Sequence, residues 1–139
     1  MGQEEKPGDY LTEKLEILEK LIANTETQSR FIHKREMRGL RRILREREAL
    51  LGKLLAVNNQ LTMDQGWKNN KQLMSLQQAI ADRQAQLLKH SSQVITQAAT
   101  ERTRIAAELN SSRMAKNLQN RYANPWATVS QGSRLNAKG

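Results

Sequence analysis

The side chains that could do chemistry in this chain are few and scattered. Its two histidines, His33 and His90, lie far apart in sequence, so neither a metal site nor an imidazole acid–base pair is indicated. Cysteine is absent, which removes disulfides, thiolate ligands and a thiol nucleophile. There is no glycine-rich phosphate loop, no serine nucleophile elbow and no HExxH run. The sequence therefore reads as that of a non-enzyme with no cofactor, no metal and no small-molecule substrate.

The densest chemistry is cationic. Arg35, Arg38, Arg41, Arg42, Arg45 and Arg47 crowd into one stretch. Such a run binds phosphate by charge alone and without sequence preference. No aromatic side chain is interleaved for base stacking, and Glu46 and Glu48 interrupt its later half. The net charge of +9 is unevenly spread, with a balance of −4 over residues 1–26 and +6 over residues 27–53. Those two segments would attract each other if they folded side by side. Arginine on a long helix ordinarily forms a solvated face, so nucleic acid is disfavoured as a partner. A membrane surface is disfavoured further, because the apolar side of this helix is needed for a core.

These residues must be carried by helices. Leu, Ala, Gln, Glu, Lys and Arg dominate, all good helix formers, and aromatics make up only 4% of the 139 residues. Two prolines and seven glycines point away from a sheet protein. The expected fold is all-α: an elongated antiparallel bundle of three long, coiled-coil-like helices with a long third helix and a flexible C-terminal tail. Residues 1–8 are expected to be disordered, helices to cover about 9–31, 35–63 and 68–122, and residues 123–139 to form the tail.

Local signals set those bounds. Asp9 is the expected N-cap. Leu11, Leu15, Leu18 and Ile22 follow at steps of four, three and four, a heptad seam, and Ile17 and Leu21 widen it as a helix with two neighbours requires. The seam then meets polar residues from Asn24 to Ser29. The helix is expected to run through them and break near Ile32–Arg35, with Gly39 as a second candidate for the break. In the second helix Leu40, Ile43, Leu44, Leu50, Leu51, Leu54, Leu55 and Val57 form the apolar side, and Arg38, Arg41, Arg42, Arg45 and Arg47 the opposite one. Asp64-Gln65-Gly66 carries turn chemistry, with Trp67 packing across it. Lys71 to Tyr122 then contains no proline or glycine. Leu73, Ile80, Leu87 and Val94 keep a seven-residue interval, and the register slips by four at Ala98, a stutter. Asn124-Pro125 ends the run.

Length adds a functional expectation. Two helices of roughly 22–30 residues cannot cover one that would extend about 75–80 Å. Residues from about 95 to 122 should overhang, and an uncovered apolar stripe marks a partner-binding or self-association surface. The expected stripe is Val94, Ala98, Ile105, Leu109 and Met114. No apolar run approaches the length of about 20 residues needed to span a bilayer, and the acidic, polar start does not look like a signal peptide. The expected location is the cytoplasm.

The pattern resembles the FlgN-type flagellar export chaperones. Leu11, Leu15, Leu18, Leu21 and Glu26 look like the family's first helix. Leu40, Arg47, Glu48, Leu50, Leu51, Leu54 and Leu55 look like its second, and a long Gln- and Arg-rich third helix ends near Tyr122. The tail from Tyr122 through Ser130-Gln131-Gly132 to Lys138-Gly139 looks like its polar C-terminus. The resemblance implies a cytosolic chaperone of type III flagellar secretion. Such a protein would bind the C-terminal helices of hook–filament junction proteins, prevent premature assembly, and deliver them to the export gate or its ATPase components. It also implies that the third helix holds the client and that Tyr122 docks to the gate. A structural coiled-coil adaptor that self-associates as a homodimer through the same stripe, and a basic nucleic-acid-binding helical protein, are the alternative readings.

Overall fold

A computed structural model describes residues 7–123, and side chains as far as Asn120. The described residues fold into three long helices, α1 (Pro7–Lys34), α2 (Met37–Met63) and α3 (Met74–Ala123), with short 3-10 turns at Gly66–Asn69 and Lys71–Leu73. The chain is all-α. The described residues divide into two units, the first ending at Ala98 and the second beginning at Ala99. Most of the expected disordered start and of the expected tail lies outside the described residues.

Helix α1 begins at Pro7, two positions ahead of the expected cap. Proline suits a first helical turn, where its fixed φ is already helical and its missing N–H would have had no partner. Asp9 falls inside that turn, where the helix dipole favours a negative charge. The helix then runs through the polar stretch to Lys34 without a break. Asn24, Thr25 and Gln28 are buried but satisfied. Asn24 Nδ2 donates to Ile43 O at 2.9 Å, Gln28 Nε2 donates to Asn24 Oδ1 at 2.8 Å, and Thr25 Oγ1 donates back to Leu21 O at 2.9 Å. Each bond offsets the cost of taking a polar group out of water.

The turn between α1 and α2 is tighter than the sequence announces. Arg35 sits at φ +57°, the left-handed region usually given to glycine. Glu36 N donates to Phe31 O at 2.9 Å and Arg35 N to Ile32 O at 3.1 Å, the paired bonds of a Schellman motif. A side chain in this conformation costs about 1–2 kcal/mol. Gly39 is not the break. It lies in the first turn of α2, where a Cβ would meet the Phe31 ring at 2.7 Å, so its bare backbone lets α1 and α2 approach.

At the far end Asp64 is extended, and its Oδ1 accepts from Gly66 N at 3.2 Å. Trp67 does pack across the turn, its Nε1 donating to Leu61 O at 3.0 Å. Helix α3 starts later than position 68 because Asn70 is extended and its side chain accepts from Gln72 N, an Asx turn that competes with the helix.

The core joins all three helices. Leu11, Ile17, Leu18 and Leu21 of α1 cluster with Leu50, Val57 and Leu61 of α2 and Ile80 of α3, with Leu73, Leu76 and Leu87 half-buried against them. Each fully buried aliphatic side chain contributes about 1.5–3 kcal/mol by leaving water. Pairs that meet show the directions. Phe31 opposes Gly39, and Asn24 opposes Ile43, so α1 and α2 are antiparallel. Gly8 meets Leu73, and Ser29 meets Gln97, so α1 and the first part of α3 run parallel.

Candidate helix-binding surface

In the second unit, residues 99–120 form a helix whose described side chains are all exposed except that of Glu101, which is partly covered. A helix derives most of its stability from packing an apolar face, yet Ile105, Leu109, Met114 and Leu118 are between 37% and 65% exposed. Ile105 and Leu109 lie four apart and share one face. Met114 comes five residues after Leu109, about 140° further round a helix of 3.6 residues per turn. It pairs with Leu118 on a separate face. Two short apolar ridges therefore replace the single expected stripe. Their surroundings are mainly basic, with Arg102, Arg104, Arg113 and Lys116 against Glu101 and Glu108. Glu101 is engaged locally, Arg104 Nη1 lying 3.5 Å from its Oε2.

The remaining predicted residues fall elsewhere. Val94 is buried, a core side chain of the first unit. It lines a small hollow of about 200 Å³ with Thr25, Glu26, Ser29, His90, Gln93 and Gln97. Burial of Val94 follows from its seven-residue interval with Ile80 and Leu87, which carries the core face of α3 that far. Ala98 is exposed at the end of the first unit. Tyr122 belongs to the last turn of α3, but its side chain lies outside the described residues.

A polar layer that the sequence did not reveal joins the three helices. Arg47 is not on the solvated face with Arg38, Arg41, Arg42 and Arg45. Its Nη1 donates to Thr25 Oγ1 of α1 and its Nη2 to Ser91 Oγ of α3, both at 3.0 Å. Partial burial holds its guanidinium pKa below the ordinary value. On the other side of the layer, Ser29 Oγ donates to Gln97 Oε1 at 2.8 Å and Gln97 Nε2 donates to Ser29 O at 3.0 Å. The signal for Arg47 was its spacing. Ile43, Arg47, Leu50, Leu54, Val57 and Leu61 step by four and three, so the arginine occupies a seam position.

His33 is exposed and His90 lines the hollow beside Val94, so the two histidines do not form a pair. Among the described residues no group of three or more His, Cys, Asp or Glu could hold a metal ion, and no helix is long and apolar enough to cross a membrane. Comparison of the chain with protein-family models, with curated proteins and with solved structures returned no match.

Proposed function

We propose that this chain is a cytosolic flagellar export chaperone. It binds the C-terminal helices of hook–filament junction proteins, keeps those subunits from assembling early, and hands them to the type III export gate. The observation that carries this reading is the exposure of Ile105 and Leu109 on one face of a helix with no core of its own among the described residues. A client helix would lay its apolar side on that ridge. Met114 and Leu118 offer a second ridge, where an unbranched thioether adapts to differently shaped side chains. The junction-protein client and the role of Tyr122 at the gate rest on the sequence resemblance.

A pull-down of a junction protein's C-terminal helix by the full chain tests the proposal. Capture at micromolar concentration is expected, and the double substitution Ile105→Asp/Leu109→Asp should weaken it at least tenfold. If the wild-type chain is folded by circular dichroism and captures nothing, the reading fails. A stable dimer indifferent to the client helix would favour the self-associating adaptor instead.

A further inference from the structure

The first unit holds a second uncovered apolar surface, distinct from the ridges of residues 99–120. The Arg47–Ser91 hydrogen bond fixes which side of α2 faces which side of α3. Leu44 and Leu51 lie three residues before and four after Arg47, the positions that share its side of a helix. Leu88 and Ile95 stand in the same relation to Ser91. All four are between 45% and 73% exposed. Helix α1 closes the opposite side of the pair, where Thr25 accepts from Arg47. Close backbone approach is concentrated between α1 and α2, so α3 meets its neighbours mainly through side chains, and the four exposed aliphatic side chains flank the Arg47–Ser91 bridge.

We infer that this trough between α2 and α3 is a docking groove for an amphipathic helix with acidic flanks, supplied by a partner protein. A fourth helix laid along these four side chains would cover them and extend the bundle. Charge selects the occupant. Arg41, three residues before Leu44, lies exposed on the outer flank of the leucine pair, with Arg45 further round; Arg47 contributes its charge at the floor, and Glu48, between Leu44 and Leu51 on that side, is one acid against these three arginines. A second copy of the chain fits poorly. The apolar side of α1 is already buried, and the exposed ridges of residues 99–120 are bordered by Arg102, Arg104, Arg113 and Lys116, which would set like charges together. The groove is independent of the client surface, since none of its residues belongs to the second unit.

A synthetic helical peptide with leucines at alternating three- and four-residue steps and glutamates on both flanks is the probe, titrated against the full chain by fluorescence anisotropy. Micromolar binding that weakens as salt rises is expected, with the same peptide bearing lysines binding at least tenfold more weakly. Leu51→Ser/Leu88→Ser should reduce affinity at least tenfold, whereas Ile105→Ser/Leu109→Ser should leave it unchanged. All four positions are exposed, and circular dichroism checks the fold. Arg41→Glu serves as a second test, with an expected loss of several-fold, should the double variant unfold. Absence of binding at 100-fold the expected concentration, equal binding of the lysine peptide, or loss of binding through Ile105 and Leu109 rather than Leu51 and Leu88 would each overturn the assignment. So would sedimentation showing a dimer that Leu51→Ser/Leu88→Ser dissolves, since the groove would then be filled by a second copy. The client pull-down depends on Ile105 and Leu109, so either proposal can fail while the other stands.

Discussion

Helices α1 and α3 are built from similar residues but are used in opposite ways. Helix α1 has 28 residues, nine of them buried and six of those apolar; α3 has 50, and among its described side chains only Ile80 and Val94 join the buried apolar core. Helix α1 is covered on two sides, so both flanks of its leucine seam are spent on folding. Helix α3 is covered on one side at most. Leu76 and Leu87 pack half-buried against the core, but exposed side chains such as Leu88, Ile95, Ile105 and Leu109 do little for the monomer and gain value only when something is laid on them. Stability should therefore be concentrated in α1 and binding in α3.

The largest expected effect tests that division directly. Leu21→Ala, in the best-buried position of α1, should lower unfolding free energy by about 2–5 kcal/mol. Leu109→Ala in α3 should change it by no more than about 0.5 kcal/mol. Urea denaturation of the two variants reads both numbers, and comparable losses would break the contrast.

The polar layer sharpens it, because there α3 is tied to α1 rather than merely leaning on it. Arg47→Ala leaves Thr25 and Ser91 without their shared donor and should cost about 1–2 kcal/mol. Arg45→Ala, on the solvated face, should cost less than about 0.5 kcal/mol. Lysine at position 47 should recover little, since an ammonium lacks the planar fork that reaches two acceptors. If Arg45→Ala proves the more damaging, the layer is not what joins the helices.

The smallest effect measures how closely α1 presses on α2. Gly52 has no atom within 4 Å of an added Cβ, so Gly52→Ala should stabilise by about 1 kcal/mol through helix propensity. The same change at Gly39 must push the Phe31 ring aside and should gain clearly less, or lose. Thermal melts of the two variants side by side decide it, and equal gains would mean that Phe31 moves freely.

What could be read from the sequence follows from where each signal resides. Apolar spacing is a property of the chain itself, so the seam from Leu11 to Ile22 and the three-helix class were legible. The end of α2 was legible too, because Asp64 and Gly66 are turn formers by local chemistry. Arg47 was misplaced on the solvated face because residue type was weighed above position, although its step from Ile43 and to Leu50 is that of a core residue. Arg35 gave no signal, since nothing about an arginine announces a positive φ; the tertiary pairing of α1 with α2 imposes it. Asn70 did carry a signal, an Asx turn that delays α3, but it lay in a stretch already read as helix. On α3 the five-residue step from Leu109 to Met114 was visible and breaks the expected stripe in two. The groove beside Leu44 and Leu88 was not legible at all, because only the Arg47–Ser91 bond shows which faces meet.

That polar layer also settles a matter of alignment. Leucine seams repeat every seven residues, so helices held by leucine alone could slip by one heptad along their axes and still match apolar to apolar. Ser29 with Gln97 and Arg47 with both Thr25 and Ser91 do not repeat. With α2 slipped one heptad against α1, the bundle would keep much of its oily contact, but Arg47 would face Leu18 or Ile32 in place of Thr25, and neither can accept a hydrogen bond. The layer thus acts as the key of a lock: a few hydrogen bonds select one vertical setting out of several that the leucines would accept.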